Sequence, residues 1–394
     1  MTAHCDHTET LLLSVSVKRD SITDAIVNAF DYDPYESGVI TEIKIPKFPS
    51  DYQIGFITGS SGSGKTTILR NVFNWQGGGV KWDLTKSVAS NFKDPSDAMD
   101  RLGAVGLNSI PTWLKPRNVL STGEGFRADL AMMLDDGAVI DEFTSVVNRD
   151  VAISCCVSLS KYIRKKGIKN VTFASCHDDI IPYLQPDWIY NTDTCEFYSG
   201  RYLRQPQITI EIVSCTKHAW DTFKRHHYLS GNLNGSSKCY MGIYNDIPVS
   251  FCAVLSLPVG SLKHAFKEHR LVVLPDFQGM GIGNKFSEAI ADAYVSAGCR
   301  YFSKTANPRV GQHRDNSTLW RATSKNHVLR KDYLRPNQND FHNMIQSAQP
   351  HAFRDCFSHE YIGDGSKHEF SYYDDGFRQM TMFDLVNKQE EQKQ

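Results

Sequence analysis

The 394-residue sequence lacks several features that would place it in a specialised class of protein. No apolar run reaches the roughly 18 residues that a membrane-spanning helix requires, and no charged-then-apolar leader is present. Lys and Arg number 43 against 44 Asp and Glu, so the formal net charge is only -1. The ten cysteines form no C-x-x-C pair, which is typical of reduced thiols rather than of a disulfide framework or a zinc site. We therefore expect a soluble, cytoplasmic protein with no membrane partner.

Enough apolar sequence is present to build more than one core. Apolar residues make up 41% of the chain, and the length predicts two or three domains. Positive charge is concentrated in residues 261–335, which hold 13 Lys and Arg against 6 Asp and Glu. Such a surplus suits an acidic cofactor or a nucleic acid. An ordinary solvated basic face is the alternative.

A glycine-rich segment in the N-terminal half has the pattern of a phosphate-binding loop. The apolar strand Ile54–Thr58 is predicted to precede it, and an amphipathic helix with the pattern Ile68–Phe73 to follow it. Glycines let the backbone approach a ligand, so N–H groups at the helix N-terminus can point at phosphates. A flexible linker is the alternative, but a linker has no reason to lie between a buried strand and a helix. The residues predicted to bind ATP are Gly59, Ser60, Gly62, Gly64, Lys65, Thr66 and Thr67. Thr66 is also a predicted Mg²⁺ ligand.

Two later strand ends carry side chains suited to nucleotide chemistry. The apolar run Ala138–Ile140 leads directly into Asp141 and Glu142. We predict that Asp141 holds Mg²⁺ and that Glu142 orients or deprotonates the water that attacks the γ-phosphate. The strand Val171–Cys176 delivers His177 at its carboxyl end, where ligands bind in parallel α/β sheets. His177 is therefore a candidate for contact with the γ-phosphate.

The order of these motifs resembles the ATP-binding cassette (ABC) family over residues 11–205. In those terms the glycine-rich loop is the Walker A motif and Asp141-Glu142 is the Walker B pair. Leu120–Glu124 then matches the signature segment and Ser145–Asn148 the D-loop. The resemblance implies a homodimer formed through the ATPase domains, in which Ser121 and Gly123 contact the partner's nucleotide.

Two departures from the ABC pattern affect the interpretation. The interval between Lys65 and Ser121 is short, and Trp82 stands near the position of the family's glutamine loop. A short helical subdomain leaves little surface for membrane subunits. The short interval therefore argues against a transporter.

A second glycine pattern lies in the C-terminal half, after a predicted boundary near Arg204. The strand His269–Leu274 ends at Pro275, and the turn Gln278–Gly283 opens an amphipathic helix that stops at Gly298. Free N–H groups at such a helix N-terminus favour a pyrophosphate. A dinucleotide fold is an alternative, but no acidic residue lies on a following strand about 20 residues later.

The spacing of Gln278, Gly281 and Gly283 resembles motif A of the GNAT acyltransferase family, over residues 206–335. The resemblance implies an α+β acyltransferase domain with acetyl-CoA, or a related acyl-CoA, as its donor. It also implies that the loop amides hold the pyrophosphate and that the strand backbone pairs with the pantetheine arm. The residues so assigned to the cofactor are Val272, Val273, Gln278, Gly279, Gly281 and Gly283.

Acyl transfer to an amine needs a base, a donor to the tetrahedral oxyanion and an acid for the thiolate. The catalytic candidates are His227, Tyr228 and Glu268, with His226 and His269 beside them. A packed, hydrogen-bonded corner is the alternative for the two adjacent histidines. His-His-Tyr at positions 226–228 also resembles an element of the Mom-like DNA-modifying GNAT family, which implies a nucleic acid base as the substrate.

The sequence thus predicts an α/β protein in three parts: an ABC-type ATP-binding domain (1–205), a GNAT-like α+β acyltransferase domain (206–375) and a polar tail (376–394). The predicted function is N-acylation of a nucleic acid base, with the ATPase module driving dimerisation or positioning the substrate. ATP, Mg²⁺ and acetyl-CoA are the predicted cofactors. An acetyltransferase of a small-molecule or protein amine is one alternative. A transport ATPase with a regulatory C-terminal half is another.

Overall fold

The computed structural model describes residues 2–4, 7–14, 18–30, 40–203, 206–227, 231–258, 260, 262–331 and 353–364. The chain forms two compact units, Met1–Gln207 and Ile208–Gln394. Both contain helices and β-sheet, which confirms the mixed α/β class predicted from the sequence. Among the described residues, no helix is both long enough and apolar enough to cross a membrane.

The first unit is built around a six-stranded sheet. Its strands, with the separate pair β2 and β3, are β1 Thr2–His4, β2 His7–Ser14, β3 Ile40–Pro46, β4 Ile54–Thr58, β5 Val139–Ile140, β6 Val171–Ser175, β7 Trp188–Asn191 and β8 Glu196–Ser199. The order across the sheet is β1-β8-β7-β4-β6-β5, and β4 runs parallel to both β6 and β7. All five residues of β4 are buried, because a central parallel strand is covered on both faces. Because β5 also runs parallel to β6, the carboxyl ends of four parallel strands lie at the edge of the sheet that carries the loop after β4.

Several helices of this unit begin at a residue whose side chain caps the helix N-terminus. The helices are α1 Ser21–Phe30, α2 Lys65–Val72, α3 Pro95–Ala104, α4 Ile110–Trp113, α5 Thr122–Met133, α6 Arg149–Lys166 and α7 Ile181–Leu184. The apolar pattern predicts a helix only from Ala128, but α5 begins six residues earlier. Ser121 and Glu124 form a reciprocal capping box there, which satisfies the first orphan N–H groups and extends the helix backwards.

The second unit is built on a larger, mostly antiparallel sheet. Its strands are β9 Glu211–Cys215, β10 Lys238–Tyr244, β11 Ile247–Ser256, β12 Ala265–Val273, β13 Arg300–Thr305, β14 Trp320–Ala322, β15 Val328–Lys331 and β16 Phe353–Tyr361. The order is β14-β16-β13-β12-β11-β10-β9, with β15 paired to β16. Its helices are α8 Trp220–Phe223, α9 Ile282–Ser296 and α10 Pro308–Asp315. The hairpin of β10 and β11 turns at Asn245 and Asp246, which both have positive φ, as a type I′ turn requires.

Two irregularities of β12 shape this sheet. The strand runs parallel to β13, but the two pair only through Ala265–Lys267 and Arg300–Phe302. Beyond these residues they separate, and we call this opening the fork. In the ladder with β11, the partner of Ala253 is Arg270 and the partner of Val254 is Glu268. His269 is therefore the extra residue of a β-bulge, a feature common next to active sites.

Candidate functional site

The loop between β4 and α2 has the backbone of a phosphate cradle. Gly64 lies at the N-terminus of α2 with φ 96° and ψ 8°, and Gly62 also has positive φ, at 82°. L-residues with a side chain rarely adopt this conformation, so glycine is required at both positions. A Cβ on Gly62 would meet nothing within 4 Å. The space beside Gly62 on the side of that Cβ is thus open.

Lys65 already lies over this loop. Its side chain is buried, and Nζ donates to the carbonyl oxygens of Gly59 at 2.8 Å and Ser60 at 2.6 Å. Phosphate oxygens are stronger acceptors than neutral carbonyls, because both partners of the bond would then be charged. The position and charge of Lys65 therefore fit a polyphosphate bound in the loop.

The two predicted Mg²⁺ ligands lie side by side. Thr66 Oγ1 donates to Asp141 Oδ2 at 2.7 Å, which brings the first turn of α2 to the end of β5. A hydroxyl and a carboxylate are hard oxygen ligands of the kind that Mg²⁺ takes. The side chains of Thr66 and Asp141 would hold the ion, and the ion would neutralise charge on the phosphates.

The residues after β5 adopt an unusual backbone. Glu142 is exposed with φ 51°, and Thr144 is fully buried with φ 69°. Non-glycine residues in this region store strain, which is concentrated at functional sites. His177 Nδ1 lies 3.3 Å from Thr144 Oγ1. The contact between Thr144 and His177 thus links the segment that follows β6 to the segment that contains Glu142.

The signature segment begins helix α5. Ser121 is exposed, and its Oγ donates to Glu124 Oε2 at 2.9 Å. A Cβ on Gly123 would lie 3.3 Å from Val147 Cγ1, so the signature contacts the D-loop of the same unit. Trp82 Nε1 donates to Asp129 Oδ1 on α5 at 2.7 Å. This hydrogen bond connects the segment that contains Trp82 to helix α5.

The turn after β7 supports the phosphate loop, and sequence reasoning missed it. Asp193 accepts from the backbone N–H of Ser60 at 2.7 Å and from its Oγ at 2.8 Å. Thr192 Oγ1 lies 2.6 Å from Ser63 Oγ, and a Cβ on Gly59 would come within 2.0 Å of that threonine oxygen. The available signal was the polar run at the end of β7, a strand that a parallel sheet places beside β4.

The glycine loop of the second unit resembles the first in its backbone. Gly281 lies at the N-terminus of α9 with φ 89° and ψ 2°, and Gly279 has φ 93°. Gln278 Nε2 donates to the carbonyl oxygen of Val273 at 2.6 Å. A Cβ on Gly283 would lie 3.2 Å from Val273 Cγ2. The first turn of α9 is thus packed closely against the end of β12, with its N-terminus beside the fork.

His269 at the bulge is held neutral. Burial, followed by the nearby cations Arg270 and Lys267, lowers the pKa of His269 to about 4. Its Nε2 accepts from the backbone N–H of Asn234 at 3.4 Å. An uncharged imidazole on the edge of the fork is available for hydrogen bonding at neutral pH.

Of the two upstream histidines, His226 lies close enough to Asp276, two residues before the glycine loop, to interact with its charge. Burial, then the charge of Arg225, lowers the pKa of His226, while Asp276 opposes that shift. The His227 ring packs edge-on against Trp220, with 5.6 Å between centroids. Tyr228, the third member of this motif, lies outside the described residues. The catalytic assignments of His227 and Tyr228 stay predictions.

Glu268 has a different environment from the one expected of a base. Its carboxylate accepts from Ser287 Oγ at 2.5 Å and from Ser303 Oγ at 2.9 Å. Arg314 Nη2 lies 3.1 Å from both carboxylate oxygens. This long-range pairing is not visible in the sequence, and the role of Glu268 as a base stays a prediction.

Comparison with known families supports the assignment of the second unit. Residues 205–314 match the acetyltransferase (GNAT) family. A GNAT acetyltransferase domain at these positions is therefore supported, and the predicted fold class is confirmed for this part of the chain. The match covers less than a third of the sequence. No curated protein sequence matches the chain significantly.

Several solved structures are similar to parts of the chain. The ribosomal-protein-S18-alanine N-acetyltransferase from Escherichia coli is 12% identical with a TM-score of 0.29, over 40% of this chain and 99% of that one. A Bacillus subtilis acetyltransferase in complex with CoA is 12% identical with a TM-score of 0.28, over 39% of this chain and 98% of that one. A dimeric ATP-binding cassette bound to ADP and Pi is 14% identical with a TM-score of 0.30, over 41% of this chain and 89% of that one.

Proposed function

We propose that this chain is an N-acyltransferase that binds acetyl-CoA at the fork and ATP with Mg²⁺ at the loop after β4. The observation that carries the proposal is the junction of β12 and α9. There a strand that leaves its parallel partner meets a helix N-terminus entered through Gly281. Together they provide an open strand edge for an extended arm and N–H groups for a pyrophosphate.

The donor supplies an activated thioester, and the chain's residues would bind and orient it. Val272 and Val273 lie on the part of β12 beyond its ladder with β13, so their strand can pair with an amide-containing arm. The bulge at His269 interrupts the ladder with β11, and an N–H displaced from a ladder can stabilise an oxyanion. Nε2 of His269 accepts from the Asn234 N–H and Nε2 of His226 accepts from Arg225 Nε, so either imidazole would take the proton of the attacking amine only after its Nε2 leaves that donor.

The first unit is proposed to use ATP to control assembly of the enzyme. Thr66 and Asp141 would hold Mg²⁺, Lys65 would contact the phosphates, and Glu142 would orient the attacking water. Closure of two copies around nucleotide would place Ser121 and Gly123 on the partner's ATP. The thioester is already activated, so the chain needs ATP for positioning rather than for the acyl transfer itself.

A nucleic acid base is the proposed acceptor. The exposed side chains of Lys304, Arg309 and Lys325 belong to the basic segment 261–335 and can contact a phosphate backbone. The same segment also contains a feature that favours a second candidate, the amine of a small molecule or protein. Arg300 and Arg321 both pair with Glu360, at 2.6 and 2.7 Å, which reduces the positive charge available to a polyanion.

Nucleoside mass spectrometry of DNA and RNA from cells with and without the protein tests this proposal. We expect an acylated base with the wild type and none with Gly281→Glu, which places a negative charge at the pyrophosphate site. Glu142→Gln should abolish ATP hydrolysis and leave acetyl-CoA binding intact, because Glu142 lies in the first unit and the proposed acetyl-CoA site lies in the second. If acetyl-CoA binds but neither pool carries a mark, the acceptor is the small-molecule or protein amine. If acetyl-CoA does not bind, the transferase assignment is wrong.

The transport alternative has its own test. A transport ATPase would co-purify with an integral membrane protein in detergent. We expect no such partner for this chain.

A further inference from the structure

A buried ion pair lies at the vertex of the fork. Glu268 follows the last residue of β12 that pairs with β13, and Ser303 follows the last residue of β13 that pairs with β12. The side chains of Glu268 and Arg314 are only 7% and 1% exposed. Charges are costly to bury, so a pair in this position calls for a specific explanation.

The pair connects both arms of the fork to the helices beneath the sheet. The Glu268 carboxylate accepts from Ser303 Oγ at 2.9 Å and from Ser287 Oγ on α9 at 2.5 Å. Arg314 on α10 donates to Ser303 Oγ and, at 2.9 Å, to Ser287 Oγ. The guanidinium also stacks on the ring of Trp320, 4.3 Å from its centroid. At the first residue beyond their shared ladder, the β12 arm is therefore bound to α9 and α10, and the β13 arm is bound to α10 and to Glu268.

We propose that the Glu268–Arg314 pair is a positioning device that sets the opening of the fork and thereby the affinity for the acyl-CoA arm. The backbone hydrogen bonds between β12 and β13 end one residue before Glu268 and Ser303, and the side chains of these two residues are hydrogen-bonded to each other and to Arg314. Both carboxylate oxygens of Glu268 are engaged by these bonds, so Glu268 acts through the backbone and does not remove the amine proton. This inference rests on the proposed acetyl-CoA site.

The double variant Glu268→Met with Arg314→Met tests the proposal in the full-length protein. It removes both charges together and leaves no unpaired ion in the core, a change that is often neutral for stability. The control is Arg300→Met with Glu360→Met, which removes both ion pairs of Glu360, with Arg300 and with Arg321, in the same unit where β13 and β16 keep their ladder. Hydrogen exchange by mass spectrometry reports on the segments 268–273 and 303–305, and calorimetry reports on acetyl-CoA binding.

We expect the fork variant to exchange at least tenfold faster in these two segments and to bind acetyl-CoA at least tenfold more weakly. The control should match the wild type in both measurements. Unchanged exchange in the fork segments would overturn the proposal. If the wild type itself does not bind acetyl-CoA, the proposed function fails, whereas the exchange result still decides whether the pair holds the fork.

The single variant Glu268→Gln provides a second test, because it keeps the shape of the side chain and both serine partners. A positioning role predicts a higher KM for acetyl-CoA with a largely unchanged pH profile of kcat. A lower kcat with unchanged KM, together with the loss of the acidic limb of the pH profile, where the rate rises as the base is deprotonated, would instead show that Glu268 is the base. That result contradicts the inference.

Discussion

Replacing Gly281 by alanine tests the proposed pyrophosphate site. Gly281 has φ 89° at the N-terminus of α9, and Gly298 has φ 78° just beyond its C-terminus. The two glycines therefore share a left-handed backbone at opposite ends of one helix. Gly298→Ala is a matched control, since a Cβ there would meet nothing within 4 Å.

The size of both effects follows from this geometry. A residue with a side chain in the left-handed region costs about 1–2 kcal/mol, which lowers the melting temperature of a unit of this size by roughly 2–8 °C. Both variants should show this loss. A hydrogen bond to a charged group contributes about 1.5–3 kcal/mol, so displacing one loop N–H weakens acetyl-CoA binding about ten- to hundredfold. Only Gly281→Ala should show that second effect.

Isothermal titration calorimetry with acetyl-CoA and differential scanning calorimetry provide the two readouts. The reasoning fails if both variants lose stability equally and bind acetyl-CoA equally well. In that case the N-terminus of α9 does not hold the cofactor.

Three further predictions concern other residues. Lys65→Met should weaken ATP binding at least tenfold in equilibrium dialysis and leave acetyl-CoA binding unchanged; equal loss of both ligands would contradict two independent sites. The pKa of His269 is lowered from 6.5 to about 4 in the folded protein, so the unfolded chain binds the extra proton and wild-type stability falls as pH decreases through that window. Because the ring is partly screened by solvent, we expect a loss of about 1–2 kcal/mol; urea denaturation of His269→Asn should lack it, and an identical pH dependence would refute the assignment. A Cβ on Gly311 would lie 2.0 Å from Phe357 Cγ, so Gly311→Ala should lower the free energy of unfolding by about 1–3 kcal/mol. Urea denaturation would show this loss as a lower midpoint, and an unchanged midpoint would show that α10 and β16 are not packed as described.

Features set by local sequence could be predicted. The loop of residues 59–64 lies between β4 and α2, as its glycines and flanking apolar runs indicate. The turn at Asn245-Asp246 follows from the tolerance of these residues for positive φ. The glycine loop before α9 is likewise encoded over a few adjacent positions, because backbone freedom is needed exclusively at the turn.

Features set by distant residues could not be predicted. The pairing of Glu268 with Arg314 joins positions 46 residues apart, and the contact of Asp193 with Ser60 spans 133 residues. A carboxylate on a predicted strand looks the same in sequence whether it faces a substrate or a buried guanidinium. The net charge of segment 261–335 is misleading for the same reason, since Glu360 lies outside the segment and pairs with two of its arginines.

A crystal structure of the protein with acetyl-CoA would test the central claim most directly. We predict that the pyrophosphate lies within about 2.7–3.2 Å of backbone nitrogens in the segment 279–283, with the pantetheine arm along β12 inside the fork. A cofactor bound elsewhere on the chain, or a fork filled by protein side chains, would contradict the account.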